Sequence, residues 1–496
     1  MNKFDVVIIG SGLGGLECGA ILSKEGYNVC VLEKNSLIGG CLQTYKRKGY
    51  GIDTGIHYVG SLEEGQFINQ SFKYFGIMDK LSIKKLDEDC FDQIHYSGST
   101  YNYAMGKENF IETLSTSFPS EREGLARYVQ KLEAVGQSVS IDTLKQGKLT
   151  DGGFDYFFTS AAGLIADCTT DSKLQNVLAS TSLLYNGLKG KSSFYEHGMV
   201  MQSYLEGAYR FVDGSGQVAD ALAGQIERNG GVVLSDSEVT RIVVQNDAIV
   251  GVELLSDERI DCDYVISSIH PQSTLKILDK NRSIRKVYAS RINDLENSYG
   301  IFSVHLLMKE KSYDYLNRNI YIHRDKEVWY DKRTDAHELR NCLVSMQATS
   351  QDPQYANVIS ILAPMYMREV EKWSNTLPER RGASYLDFKV EKAAQLLDLV
   401  KDYGYDFDAN IKDIHTTTPL SFRDYTGTVD GSAFGIVKDF NNPLATLISP
   451  RTKLKGLLFT GQNVNVHGAL GVTITSLFSC AELLGQDYLT KKIGNV

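Results

Sequence analysis

Phe4-Asp5-Val6-Val7-Ile8-Ile9-Gly10-Ser11-Gly12-Leu13-Gly14-Gly15 is the stretch that decides the fold class. Its first six residues are rich in β-branched side chains, as a strand buried on both faces requires. The glycines then fall at GxGxxG spacing, at Gly10, Gly12 and Gly15. Leu16, Cys18, Ala20, Ile21 and Leu22 form an apolar helical stripe that ends near Gly26. Residues 28–32 read as a second strand, with Glu33 directly after it. Each part has a physical task. Gly10 permits the tight turn, Gly12 lets a pyrophosphate approach the backbone, and Gly15 lets helix and strand pack closely. Leu13 and Gly14 stand at the helix N-terminus, whose free N–H groups and positive dipole end suit phosphate. Glu33 is placed to accept hydrogen bonds from ribose hydroxyls, and its charge repels a 2′-phosphate. Strand, glycines, helix, strand and acid in this order predict a dinucleotide-binding βαβ unit.

Composition narrows the rest. Of 496 residues, 52 are Lys or Arg and 61 Asp or Glu, a formal charge of −9. That balance argues against a nucleic-acid binder. Eight prolines against 44 glycines, with 42% hydrophobic residues, exclude collagen-like, proline-rich and mainly disordered chains. The cysteines (18, 30, 41, 90, 168, 262, 342 and 480) contain no CxxC pair. They read as reduced thiols, and no metal site is expected. No uncharged apolar run reaches the roughly 18 residues of a spanning helix. Residues 1–16 read as strand and turn rather than as a signal peptide. A cytoplasmic protein is expected, with peripheral contact to a membrane as an extension of that reading.

Two further segments choose between dinucleotides. Lys34 follows the acid, and Gly39-Gly40-Cys41 comes shortly after. Leu457-Leu458-Phe459-Thr460 reads as a strand, followed by Gly461-Gln462-Asn463, His467-Gly468 and Gly471-Val472 at the head of an apolar helix. These segments resemble the second and the C-terminal motifs of glutathione-reductase-type FAD proteins. The resemblance implies FAD, held by Gly10, Gly12, Leu13, Gly14, Gly15, Glu33, Lys34, Gly39, Gly40, Cys41, Gly461, Gln462, Gly471 and Val472. Related proteins often carry Asp where this chain has Gln462, which can also hydrogen-bond ribityl hydroxyls. Residues 217–229 read as a helix, with strands at 232–234, 238–242, 249–254 and 264–266. Val239 resembles the residue whose backbone meets the adenine. Gly214-Ser215-Gly216-Gln217-Val218-Ala219 imitates a second fingerprint, but no acid after a following parallel strand supports one.

The stretch Gly51-Ile52-Asp53-Thr54-Gly55-Ile56-His57-Tyr58-Val59-Gly60 resembles the carotenoid desaturase, carotenoid isomerase and retinol saturase group. So do His197-Gly198-Met199-Val200, Gly207-Ala208-Tyr209-Arg210-Phe211, Tyr425-Thr426-Gly427 and Gly431-Ser432-Ala433-Phe434-Gly435. The match is weak over about 61–190 and 290–410. It implies a single-cofactor enzyme acting on carbon–carbon double bonds of a polyene or isoprenoid-like lipid. Reduction is preferred to desaturation, and electrons are exchanged with an external donor or acceptor. A redox-neutral isomerase shares every motif. An amine-oxidase-like enzyme is the third reading, although Gln462 and Asn463 stand where its flavin-linking cysteine would lie.

The expected architecture is α/β: a glutathione-reductase-type Rossmann FAD-binding domain with an inserted α+β substrate lobe. Residues 1–60, 200–275 and 440–496 are assigned to the discontinuous FAD domain, and 61–199 and 276–439 to the lobe. Helical spacing runs over 107–135 and 171–188, and strands are expected at 301–308 and 357–364. The proton-transfer candidates are His57, Tyr58 and His197, with Tyr425 and His467 beside them. Residues 276–291 carry six cations against Asp279, together with Leu275, Ile277, Leu278, Ile284 and Val287. That pattern suits a basic amphipathic face for docking on anionic lipid.

Overall fold

A computed structural model describes residues 3–138, 153–324, 326–330 and 338–496. Residues 139–152 of the expected lobe lie outside them.

The quoted fingerprint folds as its chemistry demands. Val6, Val7 and Ile8 of the strand Phe4–Ile9 have no exposed surface. The strand lies between Val29–Leu32 and Arg259–Ser267, parallel to both. Val232–Leu234 extends the parallel sheet on one side and Leu457–Phe459 on the other. The first residues of Arg259–Ser267 also pair antiparallel with Ala248–Leu254, which pairs with Val239–Gln245. The helix Leu13–Lys24 packs against Gly216–Arg228 and against Gly468–Leu484, the helix before the last. The two ends of the chain therefore share one layer.

A second sheet stands opposite. Its order is Ile411–Thr417, Gly300–Met308, Val358–Met365, Asn341–Met346, Asn319–His323, Asp92–Tyr96, Ser99–Tyr103. Neighbours are antiparallel except Asn319–His323 and Asp92–Tyr96. Side chains alternate between the two faces of a strand, and the faces have different partners. Phe302, Val304, Ile359 and Ile361 pack with Leu396 and Leu399 of the helix Ala383–Asp402. Ile301, Tyr321, Leu343 and Leu362 join the core that contains Val6, Leu16 and Ile21. The second face thus looks toward the dinucleotide layer.

The structure refines several expectations. Gly300–Met308 and Val358–Met365 match the expected strands to within a residue. The helical reading over 107–135 splits into Lys107–Ser115 and Arg122–Ser138, because Pro119 starts a new turn between them. The reading over 171–188 becomes Ser172–Leu178 and the short turn Ser182–Tyr185. A boundary at residue 200 falls inside the helix Phe194–Glu206, which packs on Arg122–Ser138. The dinucleotide layer resumes with Gly216–Arg228. The basic segment 276–291 is broken into the end of Pro271–Ile277, a loop, and the start of Lys286–Asn293. Ile277, Leu278 and Ile284 turn inward onto the core of the first sheet, and Leu275 onto a neighbouring cluster. Of the expected apolar face only Val287 is exposed. The protein's own core uses the rest.

Candidate active site

Residues from both sheets line a cavity of about 500 Å³. The fingerprint supplies its first wall. Gly15 lies in the first turn of the helix, where a Cβ would stand 2.1 Å from the Gly10 carbonyl oxygen. It is a packing position and does not line the cavity. At Gly14 a Cβ would stand 2.9 Å from the Gly461 backbone, so the first and the last motifs touch directly. Gly12 caps the helix without a side-chain hydrogen bond. Gly10, Gly12, Leu13, Gly14, Glu33, Lys34, Gly39, Gly40, Cys41, Val239, Gly461, Gln462, Gly471 and Val472 all line the cavity. The N-terminus of Gly468–Leu484 reaches the same space, giving it a second helix dipole.

Glu33 is buried and already organised. Its Oε2 accepts from the Ser11 amide at 3.0 Å and the Ser11 hydroxyl at 2.7 Å. Its Oε1 accepts from the Asn35 amide at 2.9 Å. Each carboxylate oxygen accepts more than one bond, so the acid can shape the loops and still meet a ribose hydroxyl.

A strap over residues 427–435 also lines the cavity, although nothing in its motif marks a ligand. Thr428 Oγ1 and Ser432 Oγ are buried there without a protein partner. Buried hydroxyls are ordinarily hydrogen-bonded, so both are available to a ligand. Asn35, Ser268 and His270 were missed as well, having no motif of their own. The two helix N-termini, the glycine approaches, the acid and these unpaired hydroxyls fit a flavin dinucleotide.

The other part of the cavity is apolar, formed by Leu183, Leu184, Met199, Ile301, Leu343 and Leu362 among others. His57 and Tyr58 line it, as does His467. Burial, with the Arg210 charge adding, pushes His57 down to about 4. Burial, with Lys438 adding, pushes His467 down to about 3. Both imidazoles are neutral near neutral pH. Tyr58 donates to Asp92 Oδ2 at 3.1 Å and shares a 2.6 Å hydroxyl–hydroxyl bond with Tyr321. Asp92 Oδ1 accepts from Asn319 Nδ2 at 2.8 Å, and Asn319 in turn accepts from Arg210. Burial pushes the Asp92 carboxyl up to about 7, although Asn319, Tyr58 and Arg210 oppose the shift.

His197 does not reach the cavity. Its Nε2 bonds Tyr128 at 2.7 Å and its Nδ1 bonds Tyr185 at 2.8 Å, inside the helical part of the lobe. Tyr425 is exposed on the surface, where its carbonyl accepts from Asn35.

A parallel dinucleotide layer, a glycine-lined cradle at its helix N-termini and an apolar pocket beyond define a flavoprotein oxidoreductase. The family described as flavin containing amine oxidoreductase matches residues 13–364, and the chain belongs to it. It is an FAD-dependent enzyme. An all-trans-retinol 13,14-reductase of Homo sapiens is 24% identical over 534 residues, covering 98% of this chain and 86% of that one. Prolycopene isomerase 1 of an Oncidium hybrid cultivar is 23% identical over 324 residues, covering 60% and 55%. The crystal structure of an oxidoreductase from Methanosarcina mazei shares the fold, with a TM-score of 0.64, 17% identity, and coverage of 95% and 99%.

Proposed function

We propose that the protein reduces a carbon–carbon double bond of a polyene or isoprenoid-like lipid, with electrons from an external donor. The observation that carries this reading is the continuity of the FAD cradle with a pocket walled by Leu183, Met199, Ile301, Leu343 and Leu362. An apolar pocket lends its free energy to hydrocarbon, at about 25 cal/mol per Å² buried, and offers little to a charged amine. The similarity to all-trans-retinol 13,14-reductases along nearly the whole chain supports the same substrate class.

Bound FAD supplies hydride transfer at its ring. Glu33, Gln462, Thr428 and Ser432 would hold it, and the backbone at Gly12 and Gly40 would pass beside it. The chain's own part is to orient the alkene, keep water out of the pocket and provide a proton. Among the candidates, His57, Tyr58 and His467 line the cavity, and both imidazoles are neutral by their surroundings.

The test is to reduce the bound flavin without oxygen and add lipophilic polyenes, beginning with all-trans-retinol. Reoxidation with a product two hydrogens heavier supports the reading. A product of unchanged mass favours the isomerase. Reoxidation only by amine-derived imines favours the amine-oxidase reading.

A further inference from the structure

The Tyr58 contacts deepen this proposal and rest on it. The second sheet carries a row of side chains in register on its cavity-facing side: Tyr321 opposite Leu343, Leu343 opposite Leu362, and Leu362 opposite Ser303. Leu343, Leu362 and Ser303 line the pocket. Tyr321 is the next member of that row, and it ends on the Tyr58 hydroxyl. Asp92 sits on the adjoining strand with no exposed surface, joined to the same hydroxyl. A carboxyl and two phenols therefore meet just beyond the lining residues, and Tyr58 is the one of the three that lines the cavity.

We propose that Tyr58 is the proton donor to the substrate and that Asp92 is the positioning residue that refills it, with Tyr321 holding the Tyr58 hydroxyl in the interval. The two states of Asp92 give the bond opposite directions. As a carboxylate, Asp92 accepts a hydrogen bond from the Tyr58 hydroxyl and points that proton away from the pocket. As an acid, it donates to the Tyr58 oxygen and frees that proton for the substrate. A buried phenol cannot be left as phenolate, since burial and Asp92 both hold Tyr58 well above its ordinary value. Tyr58 must therefore gain one proton as it gives one. In the reaction the alkene π bond breaks, and one carbon takes the hydride, with its electron pair, that reduced FAD provides. The other carbon takes the proton from Tyr58 Oη, and that oxygen takes the Asp92 proton. Asp92 is left as carboxylate, and it recovers a proton from water through Tyr58 once product has left the pocket.

The groups that set its charge come from every side. Tyr58, Asn319, Arg210 and Tyr321 face Asp92, and Cys90, Tyr103 and Tyr204 also feel its charge. Arg210 is the cation among them, held by the Leu316 and Arg318 carbonyls and by Asn319.

The test has two arms. Without substrate, infrared difference spectra of wild type against Asp92→Asn read the Asp92 carboxyl directly. Its protonated band is expected to vanish as pH rises through about 7. With reduced flavin and all-trans-retinol, Tyr58→Phe is expected to slow reoxidation about 100-fold, the usual worth of a positioned acid. Asp92→Asn is expected to slow it and to abolish the decline with rising pH. Tyr321→Phe is expected to lose less than Tyr58→Phe. Flavin content and redox titration confirm that each variant is loaded. Variants that reoxidise at the wild-type rate with the wild-type pH profile overturn the relay and leave the proposed function standing. An Asp92 that is already a carboxylate at pH 6 also overturns it. A wild type whose flavin no polyene reoxidises overturns the function, and the relay with it.

Discussion

Tyr58 stacks on Tyr204, with ring centroids 4.3 Å apart and planes 24° from parallel. The Tyr204 hydroxyl adds a long 3.5 Å contact to the Tyr58 carbonyl. Such a ring pair contributes about 0.5–1.5 kcal/mol beyond burial, and here it pins the ring whose hydroxyl meets Asp92. Tyr204→Phe keeps the stack and is expected to cost less than about 1 kcal/mol. Tyr204→Ala removes it and is expected to cost about 3 kcal/mol. Urea unfolding followed by tyrosine fluorescence measures both.

Glu33→Gln keeps the shape of the acid but removes the charge that Ser11 donates to twice. Hydrogen bonds to charged groups are worth about 1.5–3 kcal/mol, so FAD affinity is expected to fall about 10- to 100-fold. Titration of the flavin-free protein with FAD reads this. Unchanged affinity would show that Glu33 only shapes the loop.

At Gly14 the neighbour that a new methyl would strike is backbone, which cannot swing aside. Gly14→Ala is therefore expected to cost about 3 kcal/mol or more and to yield protein with little bound flavin. The ratio of flavin to protein absorbance after purification is the readout.

Glu17 is buried in the first helix, where its Oε1 accepts from Thr473 at 2.7 Å. Burial pushes its carboxyl up to about 8. The folded state then binds a proton that the unfolded chain has lost, so stability falls as pH rises from the unfolded value of 4.5 to about 8. Glu17→Gln keeps an acceptor for Thr473 and removes the titration. It is expected to unfold at a higher temperature than wild type at pH 8 and close to the wild-type temperature at pH 4. Parallel melting curves at the two pH values decide it.

His197 has the opposite sign. Burial pushes it down to about 3, so its neutral form belongs to the folded state. The stability it contributes is present above its ordinary value of 6.5 and is lost as pH falls toward 3. His197→Ala leaves two buried tyrosine hydroxyls unpaired and is expected to cost about 2–4 kcal/mol. Because the residue lies away from the cavity, the flavin absorbance of folded His197→Ala should match that of wild type.

The dinucleotide layer was legible because its signals are local. A buried strand, a turn only glycine can make and a helix start must follow one another within fifteen residues. The same locality explains the C-terminal motif and the good fit of Gly300–Met308. The lobe hides its chemistry. Asp92 sits in a strand of alternating character, and nothing near it in sequence marks a partner in Tyr58, 34 residues away. Tyr321 reaches that bond from a separation of 263 residues. His197 illustrates the reverse: its segment resembles flavin-adjacent sequence, yet helix phase turns the ring toward Tyr128 and Tyr185. The basic segment 276–291 does not form one continuous amphipathic helix face for a related reason, since counting cations does not show which way the leucines and isoleucines turn.

The meeting of Gly14 with Gly461 has a consequence for biogenesis. During synthesis the half of the phosphate cradle at Gly14 is made long before the wall at Gly461 that completes it. Until then the helix Leu13–Lys24 has no Gly468–Leu484 to lie against, and Glu17 has no Thr473. Stable flavin capture is thereby expected only once the segment around Gly461 has been made. Molecules arrested before residue 461 would emerge colourless, with an exposed seam along the first helix for quality-control proteases to find.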